Sequence, residues 1–219
     1  LVIQEMLMLH YMQFGKLKLS TVFSQKKSSS SSVSSKGGAQ LSSYEFSADA
    51  YDENRHFFLG HFFRDRYDDN MKQLPTIASG ITVNRIEIWV TNKTGTTTDT
   101  RNIVGFTDLG EFSHISNPSW VATGEENPNN NSNTLYSELN NSLTDARNIS
   151  SATQTLDAAG FVGGVDYEKL ESARKLNSSE YTLNATLGYV SLKQTLQTDQ
   201  VLAVAYEYTY KGQTFQVGE

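Results

Sequence analysis

The 219-residue sequence contains no cysteine, which excludes disulfides, thiolate metal sites and cysteine nucleophiles. It lacks any run of 18 apolar residues, so no transmembrane helix is expected. No signal peptide can be read either, because Leu1-Val2-Ile3 runs at once into Gln4 and Glu5 without a basic leader, and the targeting signal is expected elsewhere. Starting without Met and finishing at Val217-Gly218-Glu219, the sequence reads as an excerpt of a longer protein. Basic charge is scarce too. The net charge is −6, and Lys26-Lys27 is the one dense basic spot. Binding to a phosphate backbone relies on clustered Lys and Arg that release counterions, so no nucleic-acid partner is expected.

What is present is aromatic and polar. Eleven Tyr and eleven Phe give enough bulk for a packed core and argue against a wholly disordered chain. Residues 28–35 hold seven serines in eight positions, closed by Gly37-Gly38. Such a tract buries too little apolar surface to offset its conformational entropy. It divides the sequence into a β-strand segment (1–27), a Ser/Gly-rich linker (28–38) and an α+β module (39–219).

Within residues 12–24, Leu17, Leu19, Thr21 and Phe23 alternate with Lys16, Lys18, Ser20 and Ser24. This period of two is that of a strand. It fits either a membrane-barrel strand or a half-buried strand of an ordinary sheet. Tyr44, Phe46, Ala48 and Ala50 suggest a short strand over 44–50. Leu59, Phe62, Phe63, Tyr67, Met71 and Leu74 recur at spacings of three and four, predicting a helix capped by Asp52, lying on a sheet and ending before Pro75. Arg85–Thr91 and Asn102–Leu109 read as an antiparallel hairpin around Gly95. The Asn-rich stretch Pro118–Asn133 reads as an exposed loop. Leu135, Leu139 and Leu143 predict a helix over 134–147. Asp166 is expected to cap another, with Leu170 and Ala173 inward and Arg174-Lys175 near its C-terminus. Leu187–Leu192 reads as a strand.

At the C-terminal end, Val201–Tyr210 and Gln213–Val217 flank Lys211-Gly212. A two-residue turn there sets Tyr208 opposite Phe215 and Tyr206 opposite Val217. Apolar then meets apolar, and polar meets polar at Thr209/Thr214 and Glu207/Gln216. A three-residue loop with a bulge at Gly212 is the competing geometry. The fold class expected is α+β: antiparallel sheets with a few packed helices, preceded by a possible outer-membrane barrel strand.

Catalytic chemistry finds little purchase. His56 and His61 lie five apart, whereas two ligands on one helix face need four. Asp65, Asp68 and Asp69 sit among Arg64 and Arg66, as a solvated, salt-bridged face would. Asp49, Asp52 and Glu53 could serve a hydrolase only at a separation that sequence does not fix. Gly160-Phe161-Val162-Gly163-Gly164 lacks the lysine of a phosphate loop. Tyr206, Tyr208 and Tyr210, with Phe215, form either a core face or a glycan-binding platform. No catalytic, cofactor-binding or metal residue is assigned, and a non-enzyme without cofactors is expected.

Several blocks resemble one family. They are Tyr51–Leu59 with Phe62-Phe63-Arg64-Asp65 and Tyr67, then Asn84–Asn92, Thr100–Val104 and Glu171–Leu176. Ser179–Tyr181, Leu187–Leu192, Val201–Tyr208 and the stretch from Phe14-Gly15 to Phe23-Ser24-Gln25 complete them. In these blocks the chain is similar to the SprA/Sov family of type IX secretion in Bacteroidetes. The resemblance implies an internal piece of a very large outer-membrane β-barrel translocon, linked to gliding motility in some members. It implies as partners the rest of that barrel, a PorV-type lipoprotein, a plug protein and secreted cargo bearing a C-terminal sorting domain. It favours the barrel strand for 12–24 and a module facing the extracellular side. The alternative from composition and the aromatic row is a cell-surface adhesion or glycan-binding module.

Overall fold

The computed structural model of the chain describes residues 7–14, 17–24 and 52–219. Two compact units result, Leu1–Asp52 and Glu53–Glu219. In the first, β1 (Leu7–Phe14) and β2 (Leu17–Ser24) are antiparallel. Phe14 stands opposite Leu17, and Leu7 opposite Ser24. The single strand expected over 12–24 is therefore divided. Residues 12–14 end β1, and the alternating stretch from Leu17 is β2. Pairing gives each strand the backbone partners that a lone strand lacks. The serine tract, Gly37-Gly38 and the strand expected over 44–50 lie outside the described residues.

The second unit is α+β, as the sequence implied, and the described residues contain no closed barrel. It begins with β3 (His56–Phe58), α1 (His61–Asp65), α2 (Tyr67–Met71), β4 (Ile81–Val90) and β5 (Thr100–Phe106). There follow α3 (Leu135–Asn141), a 3-10 turn (Thr144–Arg147), α4 (Ala152–Ala158) and β6 (Tyr167–Lys175). It closes with β7 (Tyr181–Asn184), β8 (Tyr189–Leu192), β9 (Leu202–Tyr210) and β10 (Gln213–Val217). One sheet runs β10-β9-β4-β6-β5 and a smaller one β3-β8-β7.

The C-terminal hairpin has the register read from the sequence, with Phe215 opposite Tyr208 and Val217 opposite Tyr206. Lys211 and Gly212 both take positive φ, 51° and 81°, the signature of a two-residue type I′ turn. The aromatic row is core, since Tyr206 is 5% exposed and Tyr208 0%. Phe62 and Phe63 of α1 press edge-on against it, the Phe63 ring lying 5.7 Å from Tyr206 and 5.3 Å from Tyr208. This helix does lie on a sheet, but the long helix expected from Asp52 to Leu74 is not formed. Residues 56–58 pair with Tyr189–Ser191 of β8, and Gly60 is fully extended at φ −176° and ψ 171°. The apolar spacing of 57–63 thus serves a strand and then a short helix. Leu74 is left 59% exposed.

Bulges account for two further departures. The helix expected after Asp166 is the strand β6. Buried Tyr167, Leu170 and Ala173 recur every three residues, as on a helix. However, Arg101 opposes Ala173 while Ile103 opposes Leu170, so β6 carries one extra residue. That bulge returns Leu170 and Ala173 to one face. Ser172 sits there at φ 49°, its N–H bonded to Asn102 Oδ1 at 2.8 Å. In β4 a register shift between Val83 and Arg85 brings Ile81 and Val83 into the same cluster as Ile86 and Ile88.

The hairpin expected between 85–91 and 102–109 is also replaced. β6 lies between β4 and β5, because each gains an antiparallel partner there that the long 92–99 connection does not impose. The helix expected over 134–147 is α3 followed by the 3-10 turn. α4, with Leu156 at 0% exposure, was not foreseen. Nor is the Asn-rich stretch simply exposed. Ser132 and Asn133 are buried at 0% and 2%. Asn133 Nδ2 donates to the Asp108 and Glu111 carbonyls at 2.7 and 2.8 Å, and its Oδ1 accepts from Leu135 N–H at 2.9 Å. Buried polar groups persist where such bonds satisfy them.

Candidate functional site

The five-stranded sheet is joined across its middle by a short seam, Trp89 opposite Lys175 and Val90 opposite Arg174, with the Leu176 N–H bonded to the Ile88 carbonyl at 2.8 Å. By contrast, β4 and β9 pair from Ile81/Tyr210 to Val90/Leu202. Beyond that short seam the two halves face each other. A Cβ placed on Gly105 of β5 would stand 3.7 Å from Ala203 Cβ of β9, although β4 and β6 intervene in the ladder. A groove of about 1050 Å³ opens between them, lined by β5 over residues 101–106, by Ala203 to Tyr206 of β9, and by Leu139 and Leu143.

Its polar end is built by three segments. Glu111, 8% exposed, follows β5 in a turn whose N–H bonds the Asp108 carbonyl at 3.1 Å. Its Oε1 accepts the His61 backbone N–H at 3.3 Å and lies 3.1 Å from His61 Nδ1. Its Oε2 is buried without a hydrogen-bond partner. Tyr206 also lines the groove. Burial, then Tyr208, then the Glu111 carboxylate push its phenol well above the usual range, so it stays protonated and can donate. Gly60 brings these groups together, since a Cβ there would lie 3.4 Å from both Glu111 Oε1 and the Tyr206 hydroxyl.

The His61 ring, which also lines the groove, lies tilted against that of His114 with centroids 4.4 Å apart. His114 Nε2 lies 2.8 Å from Asp65 Oδ2. That bond, assisted by Arg64 against some desolvation, holds the Asp65 carboxyl below its usual range. A carboxylate, imidazoles and a phenol in this arrangement can pair with charge and donate or accept hydrogen bonds.

The residues weighed from the sequence are dispersed. His56 Nδ1 lies 2.8 Å from Ser191 Oγ, while His61 pairs with Glu111. Asp69 bonds Lys72 and Asp68 is exposed. Asp52 and Glu53 are exposed, and Asp49 lies outside the described residues. Phe161 packs with Leu156 and Tyr167 in a core cluster rather than in a phosphate loop. Among the described residues no group of three or more His, Asp or Glu is gathered that could hold a metal ion. No described helix is long and apolar enough to cross a membrane. Glu111 and His114 went unnoticed in the sequence, because a lone acid and a lone His some 50 residues from their partners carry no spacing signal.

Antiparallel sheets, short helices and one sizeable groove define an α+β module. Residues 6–98 match the SprA_N family model, described as a motility related/secretion protein. Over that region, which is less than half of the chain, the sequence is similar to the SprA/Sov family. The chain is accordingly motility- and secretion-related, as the resemblance implied. Comparison with curated proteins gives no match.

Proposed function

We propose that the chain is a non-catalytic segment of the outer-membrane translocon pore of type IX secretion, shaping or capping the protein-conducting barrel. The observation that carries this reading is the SprA_N match. The antiparallel pair β1–β2 lies inside the matched region and is compatible with strands contributed to a larger barrel. A barrel closed with further strands would satisfy their outer edges. The 53–219 unit then stands beside the pore, on the extracellular side. It would work alongside a PorV-type lipoprotein, a plug protein and cargo with a C-terminal sorting domain. A glycan-binding platform loses its motive, because Tyr206 and Tyr208 are buried.

The test is made in cells. Photo-cross-linkers at exposed positions such as Val121 and Val162 should capture the lipoprotein or cargo. Deleting residues 53–219 from the parent protein should stop secretion while the barrel still reaches the outer membrane. Normal secretion after that deletion would end the proposal.

A further inference from the structure

Exposed apolar surface and charge are both unevenly placed on this unit. Five large hydrophobic side chains are exposed among the described residues, and three of them are Val121, Val162 and Val165, at 62%, 54% and 64%. Trp120 lies 4.9 Å from Phe161, so the residues next in sequence, Val121 and Val162, flank one aromatic stack. A tight turn brings Val165 beside Val162. Single exposed aliphatics call for no explanation, but a gathered set marks a place where another surface is met.

The turn itself is fixed. The N–H groups of Val165 and Asp166 both donate to the Val162 carbonyl, at 3.1 and 2.8 Å. The Asp166 carboxylate accepts the Val162 N–H at 2.7 Å and the Asn117 side-chain amide at 3.0 Å. Thr107 Oγ1 donates to the Val165 carbonyl at 2.7 Å. With its backbone satisfied, the turn displays two valines at little ordering cost on binding.

Two carboxylates frame those valines. A Cβ on Gly164 would lie 3.8 Å from Glu168 Oε1, and one on Gly163 would lie 3.7 Å from the Tyr167 hydroxyl. That hydroxyl donates to Asp157 Oδ1 at 3.0 Å. Neither Asp157 nor Glu168 pairs with a Lys or Arg among the described residues. Lys169 turns instead to Glu171 at 3.1 Å and to the Ile149 carbonyl at 3.5 Å. The wider setting has the same sign. From Val104 to Glu168 the sequence holds nine Asp or Glu and one Lys or Arg, a net −8 against −6 for the whole chain. Asp108 and Glu111 are buried, the other seven acids reach solvent, and the one base, Arg147, pairs with Glu219. Such a field repels nucleic acid and anionic lipid and draws a cation.

We infer that the Val162–Val165 turn docks a cationic segment of a partner polypeptide, whose aliphatic side chains cover the two valines while its Lys or Arg side chains pair with Asp157 and Glu168. The valines supply the apolar contact, and the carboxylates select the sign of the partner. The inference names a chemistry at a face where the transport reading expects contact, without resting on that reading. Peptide binding tests the one and secretion the other.

The full chain, labelled with nitrogen-15, would be titrated with the end-blocked peptide Gly-Lys-Val-Thr-Val-Lys-Gly. One twin carries Glu for both Lys, and another carries Ser for both Val. The first peptide should shift amides over 157–168 and bind at least about fivefold more tightly than either twin. Val162→Ser with Val165→Ser should erase its margin over the Ser twin. Asp157→Asn with Glu168→Gln should erase its margin over the Glu twin. Glu53→Gln with Asp68→Asn, which neutralises two exposed acids elsewhere, should leave both margins in place. Equal binding of the three peptides, no shifts, shifts centred outside 157–168, or the same loss from the distant pair would each overturn the inference.

Discussion

Alanine at Gly188 would meet two separate penalties. The backbone there has φ +66°, where an L side chain costs about 1–2 kcal/mol. The new Cβ would also fall 2.0 Å from Phe63 Cδ1 and 2.5 Å from its Cγ. Phe63 is 1% exposed and wedged among Phe62, Tyr206 and Tyr208, so it has no free direction in which to give. Overpacking of this kind costs roughly 1–3 kcal/mol. Together the loss is about 2–5 kcal/mol, which at ~2–4 °C per kcal/mol for a unit of this size lowers Tm by roughly 4–20 °C. Gly95 isolates the first penalty, having the same φ of +66° but no neighbouring atom within 4 Å of where an added methyl would sit. Gly95→Ala should therefore lose only about 1–2 kcal/mol. Calorimetric melts and urea titrations of both variants measure the difference. Equal shifts in the two would refute the tight approach of the β7–β8 turn to Phe63.

Asn133→Ala removes three buried hydrogen bonds, strands the Glu111 carbonyl and the Leu135 N–H, and leaves the Asp108 carbonyl only its bond from the Glu111 N–H. A loss of about 2–4 kcal/mol is expected by urea unfolding; under 1 kcal/mol would show that solvent reaches the site. Glu180 is held below its usual range chiefly by Arg174, whose Nη1 lies 2.9 Å from both carboxylate oxygens, and by the Asn177 N–H. Because the folded pKa is depressed, its stabilisation is present above the unfolded value near 4.5 and fades as pH falls through the lower folded value. Its side chain is 37% exposed, so Glu180→Gln should cost only about 0.5–1 kcal/mol at pH 7. The gap from the parent protein should close as pH falls below the folded value; a gap that widens with acid would contradict the ion pair.

The sequence carried the parts of the fold that follow from local alternation. The β9–β10 register was legible because Tyr206, Tyr208, Phe215 and Val217 pair across a turn ending in glycine. What stayed hidden are interruptions of period. A bulge at Ser172 gives β6 the three-residue spacing of a helix, and extended Gly60 splits one apparent helix into strand and helix. Non-local pairing was equally invisible, since nothing in 100–106 announces 167–174 as its partner. The groove follows the same rule. Tyr206 was singled out as an aromatic and His61 as a possible ligand. Their meeting with Glu111 depends on the short β4–β6 seam and the curl it permits, which are tertiary facts.

The central ladder also governs when this unit can assemble. Its longest pairing runs from Ile81/Tyr210 to Val90/Leu202, closing loops of more than a hundred residues. Ring closures of that span are entropically slow, and β4 has no complete partner until β9 is available. A chain emerging from its N-terminal end would thus leave Ile81, Val83 and Ile88 uncovered until Leu202–Tyr210 arrives. Assembly of this unit therefore waits for β9, and removing residues 200–219 takes away two adjoining strands and strips β4 of its longest pairing.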